Sequence, residues 1–147
     1  MTEIEKLVRS RSRITLLMAV TFAIWQGGQI ASKLMSPEMS LYALASGIGG
    51  LGAVAYAISA LFLFIYYRRV KKAKLGCTLN DEWAQHVRTK AIQYGFFYMI
   101  GATSLLYGAS AVWQIPAQPT LQTIIVVGVV STIFAYIWIE HKGEAEQ

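Results

Sequence analysis

The chain has 147 residues, of which 55% are hydrophobic and only 14% charged, and its mean hydropathy is +0.45. A soluble domain of this size cannot hide that much apolar surface, so the excess faces something other than water. The formal net charge of +5 would suit a nucleic-acid partner, but its placement argues against direct binding: every Lys and Arg except Lys33 lies in the N-terminal tail, in the polar bridge 68–90, or at Lys142 near the C-terminus.

A hydrocarbon core about 30 Å thick takes roughly 20 helical residues per crossing. The chain offers four such apolar runs, at about residues 14–30, 41–67, 91–113 and 121–139, joined by short polar segments. The clustering of basic residues at alternate ends follows the positive-inside pattern and places both termini and the bridge in the cytoplasm. The predicted fold is therefore all-α: a single polytopic membrane domain, a four-transmembrane-helix bundle with N-in/C-in topology in a cytoplasmic membrane.

The first run, ITLLMAVTFAIWQGGQI, follows a basic head that also suits a signal peptide, yet no small-x-small cleavage signature follows it. It reads as the first span, ending in a polar, glycine-bearing mouth at Trp25, Gln26, Gly27, Gly28 and Gln29. Ser36 and Pro37 then precede Glu38 where a second helix can start, because proline is tolerated in a first turn. Within this second helix Ala45, Gly49, Ala53 and Ala57 recur at four-residue spacing. Small residues let helix backbones approach closely in lipid, so these positions are predicted to form a packing face. The partner of that face is another span of the same chain or a second copy in a homo-oligomer, and the sequence leaves both open. Tyr66 and Tyr67 followed by Arg68 and Arg69 supply interfacial anchors at its end.

The bridge begins with RRVKKAK, five cations in seven residues. This is a stop-transfer flank that also attracts anionic lipid headgroups. Cys77, the only cysteine, excludes an internal disulfide and cysteine-pair redox chemistry. Asn80 can cap a third helix, and Asp81 with Glu82 complements its dipole. That helix is predicted to start near Asp81 and to project roughly 15 Å before entering the bilayer. Its exposed first turns offer Asp81, Glu82, Trp83, His86 and Arg88 as a docking face for a cytoplasmic protein, since tryptophan and arginine are favoured interface anchors. Deeper in the helix, Gly101 and Gly108 stand one heptad apart and are predicted packing positions. A turn with two prolines, QIPAQPT, leads to a fourth helix rich in β-branched residues that ends at Tyr136, Trp138, Glu140 and His141. The two halves echo each other faintly, Val8-Arg9-Ser10-Arg11 against Val87-Arg88-Thr89-Lys90 and Trp25-Gln26 against Trp113-Gln114. Any pair of outward spans tends to share such features, so the echo does not establish a repeat.

Ionisable side chains within a bilayer are costly and mark proton or ion paths. By position, none falls inside a predicted span: Glu38 and Glu140 are boundary residues, and no carboxylate is placed to serve a proton-coupled antiporter. His86, His141 and Cys77 do not form a chelating pair at ligand spacing, and no nucleophile and base stand at recognisable spacing. Neither a catalytic residue, a metal site nor a cofactor is predicted. Polar residues within the spans, such as Gln26, Gln122 and Thr132, are expected to bond between helices, with a solute path as the rival use.

The pattern L-x-D-E-x-x-x-x-(I/V)-x-x-K-A, carried here by Leu79, Asp81, Glu82, Val87, Lys90 and Ala91, together with four short spans and minimal loops, resembles small bacterial membrane proteins of the type that inhibit LytTR-family transcription regulators. The resemblance covers about a dozen residues and the topology. It implies a non-enzymatic regulatory or scaffold protein that sequesters a DNA-binding regulator at the membrane. The rival expectation is a small oligomeric transporter or channel subunit.

Overall fold

The computed structural model describes residues 3–72 and 82–145; Asn80, Asp81 and Cys77 lie outside the described residues. Four long helices account for nearly all of what is described: α1 (Glu3–Leu34), α2 (Ser40–Lys72), α3 (Glu82–Ser110) and α4 (Ala117–Ala145). α1, α2 and α4 are each long and apolar enough to cross a membrane, with candidate spans Arg9–Leu34, Ser40–Lys71 and Ala117–Lys142. α3 is less clearly a span. Gln93, Tyr94, Tyr98, Thr103, Ser104 and Tyr107 dilute its apolar run with hydroxyls and an amide.

Short connectors turn the chain back on itself. Between α1 and α2 the Met39 amide donates to the Ser36 carbonyl at 3.0 Å, and the Tyr42 amide to the Met39 carbonyl at 2.9 Å. α3 stops at Ser110, short of the predicted 113, because Val112 and Trp113 both donate to the Ala109 carbonyl and wind the chain into a turn ahead of Pro116. α4 starts earlier than the predicted 121, at Ala117. Pro119 is accommodated in its first turn, where an amide would be unpaired anyway, and the Thr120 hydroxyl returns to the Pro116 carbonyl at 2.9 Å.

The helices form a row in the order α2, α1, α4, α3, each packed chiefly on its neighbours. The α1–α2 and α3–α4 connectors lie at one end of this row, here termed the loop end. The start of α1 and the finish of α4 lie at the other, the terminal end.

The seam between α1 and α2 is built on backbone proximity. A Cβ placed on Gly28 would fall 2.5 Å from the Gly49 nitrogen and 2.8 Å from the Ala45 carbonyl oxygen, and one on Gly52 would fall 2.6 Å from the Trp25 nitrogen. Further along, Tyr56 packs against Phe22 and Trp25 with ring centroids 5.5 Å from each. Ser59 and Thr21 then meet at 3.2 Å, both buried. The face of α2 thus runs Ala45, Gly49, Gly52, Tyr56, Ser59, alternating steps of four and three. A strict four-residue step drifts about 40° per repeat on a 3.6-residue helix. That drift carries Ala53 to the margin and leaves Ala57 exposed.

Ala84, Val87, Ala91 and Gly95 form the buried face of α3. Gly95 is pressed against the Thr132 side chain, and Met99 fills the space above Gly128. Gly101 and Gly108 sit away from this line; a Cβ on either would meet nothing within 4 Å. Six residues beyond Gly95, Gly101 has rotated by about 120° from the seam, so among the described residues its small size serves no close helix contact.

Candidate functional site

Two grooves open near the terminal end, separated by the packed seams of α1 and α4. The first is organised by Glu140. Four residues after Tyr136 on the last turns of α4, it faces α1 at the height of Arg11 and Ser12. The Arg11 guanidinium pairs with Glu140 Oε1, the Ser12 hydroxyl donates to Oε2 at 2.5 Å, and the Tyr136 hydroxyl donates to Oε1 at 3.2 Å. The guanidinium also lies 5.7 Å from the Tyr136 ring centroid. Glu140 is only 6% exposed. By sequence position it is a boundary residue, but the packing of α1 against α4 encloses it.

Position alone did not show that enclosure. A buried carboxylate needs an opposite charge and hydrogen bonds to offset its desolvation, and the four-residue step from Tyr136 together with the adjacent Arg11-Ser12 pair supplies them. Sequence reasoning missed the set because its members are more than 120 positions apart. The available signal was Glu140 itself, an acid set directly against the apolar run of α4. Among the described residues the Arg11 Nε is buried with no hydrogen-bond partner, and an unmet buried donor costs about 1–3 kcal/mol.

Around this cluster runs a groove of about 800 Å³, floored by α1 and walled by α2 and Tyr136, with Arg11, Tyr66, Arg88 and Tyr136 at its polar end and Ala60, Leu63 and Phe64 along its apolar length. The second groove, of about 660 Å³, lies between α3 and α4 and is lined by Trp83, Lys90, Tyr94, Phe134, Trp138 and Lys142. Trp83 is 45% exposed and stacks on His86 with centroids 5.9 Å apart and planes inclined by 29°. Across the groove Lys142 stands 5.9 Å from the ring of Trp138.

The four predicted docking residues that are described do not share one patch. Trp83 lines the α3–α4 groove, with His86 stacked on it, whereas Arg88 lines the α1–α2 groove. The five residues from Trp83 to Arg88 turn the helix by about 140° beyond a full circle, which is enough to change groove. Glu82 is exposed at the start of α3; Asp81 lies outside the described residues. His141 is exposed, and among the described residues no three His, Cys, Asp or Glu side chains gather where they could hold a metal ion.

Comparison with known proteins gave no match: no family model, no curated protein and no solved structure resembles this chain closely enough to carry an assignment.

Proposed function

We propose that this protein is a non-enzymatic membrane anchor that recruits and sequesters a cytoplasmic protein. In this reading all four helices cross a bacterial inner membrane, and the cation-rich terminal end faces the cytoplasm, as the positive-inside pattern requires. The observation that carries the proposal is the exposed Trp83, stacked on His86 and standing beside Trp138 over a groove rimmed by Lys90 and Lys142. Tryptophans that sit in a concave surface and keep basic neighbours at the rim are suited to anchor a partner segment with an apolar residue flanked by acids.

The partner class suggested by the L-x-D-E pattern is a DNA-binding regulator of the LytTR type, kept from the nucleoid by attachment to the bundle. In this reading Arg68, Arg69 and Lys71 on the last turns of α2 meet anionic headgroups, leaving the first turns of α3 to meet the partner. Affinity purification from detergent extracts tests the reading. Wild-type protein is expected to retain a defined cytoplasmic partner, and W83A/H86A to lose it. Arg88→Ala, in the other groove, is expected to retain it. Equal recovery with all three forms removes the docking role. Orientation is tested separately by labelling Cys77, the sole cysteine, with a membrane-impermeant maleimide: labelling in intact cells would place the bridge outside and end the cytoplasmic reading.

A further inference from the structure

We infer that the flank between α3 and α4 binds one anionic phospholipid, its phosphate held between Lys90 and Lys142 and an acyl chain laid past Gly101. The inference goes beyond the docking reading: it rests on membrane insertion and needs no protein partner, although a bound headgroup meets the same two lysines that rim the docking surface.

Three observations converge on that ligand. The first is charge. The groove under Trp83 and Trp138 is lined by two lysines and no acid. Among the described residues the ion pair is Arg11 with Glu140, and neither lysine has a carboxylate or a hydrogen-bond acceptor. Lys142 stands over the Trp138 ring, a contact that leaves its positive charge in place. Both ammonium groups are therefore open to a phosphate, at a mouth whose two tryptophans suit the headgroup layer. With no acid in the lining, the cation of a zwitterionic headgroup has no seat, so an anionic one is favoured.

The second observation is continuity. A further groove of about 580 Å³, bordered by Phe97, Gly101, Leu105 and Val127, shares Tyr94 and Tyr98 with the first and extends toward the loop end. On α3, Lys90, Tyr94, Gly101 and Leu105 fall within about 60° of one another, and on α4 Val127, Phe134, Trp138 and Lys142 fall within about 80°. Cations, aromatic rings and apolar length thus follow in that order down one flank, as headgroup and acyl chain do in a lipid. From Lys90 to Leu105 the helix rises roughly 22 Å, and one leaflet with its headgroup layer is about 20–22 Å deep. The third observation is Gly101. A Cβ there would meet nothing within 4 Å, yet the residue lies in the lining, where the missing side chain leaves room for a chain from outside.

The test uses the protein purified in a mild detergent, delipidated and without any partner, so that its failure and that of the docking reading are told apart. Phosphatidylglycerol, phosphatidylcholine and inorganic phosphate are added in turn, with bound mass read by native mass spectrometry and stability by thermal unfolding. One phosphatidylglycerol per protomer is expected to survive activation and to raise Tm, with phosphatidylcholine held weakly and phosphate giving no comparable shift. K90Q/K142Q is expected to weaken phosphatidylglycerol binding about thirtyfold, the equivalent of about 1 kcal/mol for each lysine near a headgroup. R69Q/K71Q removes two cations outside the groove and is expected to keep the lipid. Gly101→Leu, which fills the apolar length and for which the fold has room, is expected to lose it with the Tm of the lipid-free protein unchanged. Equal retention of the two lipids, a phosphate effect as large as that of phosphatidylglycerol, equal losses in K90Q/K142Q and R69Q/K71Q, a dimer that carries no lipid, or wild-type binding by K90Q/K142Q or Gly101→Leu would each overturn the proposal.

Discussion

At the terminal end, α1 and α4 are joined by an enclosed carboxylate that takes donors from Arg11, Ser12 and Tyr136. At the loop end the same two helices are joined by amides: the Gln122 amide donates to Gln26 Oε1 at 2.6 Å and its oxygen accepts from Lys33 Nζ at 3.1 Å. The contrast teaches that one helix pair is fastened by two different kinds of interaction. The charged clasp is largely screened from water, with Arg11 and Glu140 side chains 17% and 8% exposed, so its two halves depend on each other. The amide clasp ends in an exposed lysine, and its parts can be satisfied by solvent or headgroups when a partner is lost.

The largest expected effect comes from breaking the charged clasp on one side. Glu140→Ala leaves the Arg11 guanidinium enclosed without its counter-charge, a change that costs about 3–5 kcal/mol in buried pairs. It should appear as a lower unfolding midpoint in detergent and as easier proteolysis near residue 11. Removing both charges together sharpens the point. The double variant R11M/E140L leaves no enclosed charge uncompensated, and apolar replacement of a buried pair is often close to neutral. It is expected to lie within about 1–2 kcal/mol of wild type, nearer than Glu140→Ala alone. Losses in the double variant that equal the sum of the two single losses would mean that the pair is not coupled.

These contrasts also mark how much of the molecule could be read in advance. Four helices along the chain followed from apolar runs separated by polar punctuation, and Ala45 and Gly49 stand on the α1 seam because small residues permit backbone approach. What could not be read was rotation. Spacing alone does not distinguish a face that keeps step with its neighbour from one that drifts, so Gly52 and Ser59 were passed over in favour of Ala57. Gly101 and Gly108 share a heptad with each other but not with Gly95. The same uncertainty in helix phase split Trp83 from Arg88 and placed them in different grooves. The Arg11–Glu140 contact required knowing that α1 packs on α4 rather than only on α2, a fact of tertiary order that no local pattern carries.

At the loop end, Gln122→Ala removes both hydrogen bonds at once. Interhelical side-chain bonds in membranes average about 0.6 kcal/mol, so the expected loss is about 1 kcal/mol, several times less than for Glu140→Ala. A loss equal to that of Glu140→Ala, measured by the same detergent unfolding, would erase the distinction between the two ends.

The smallest effect is assigned to Lys33→Ala. The lysine is exposed, and exposed charged contacts contribute between 0 and about 1 kcal/mol. Its role is to occupy the Gln122 oxygen while the Gln122 nitrogen serves Gln26, so removing it leaves the amide-to-amide bond intact and frees one acceptor to water. A change below about 0.5 kcal/mol is expected. If Lys33→Ala instead matched Gln122→Ala, the lysine would be orienting the amide rather than decorating it, and the loop end would have to be treated as a second charge-dependent clasp.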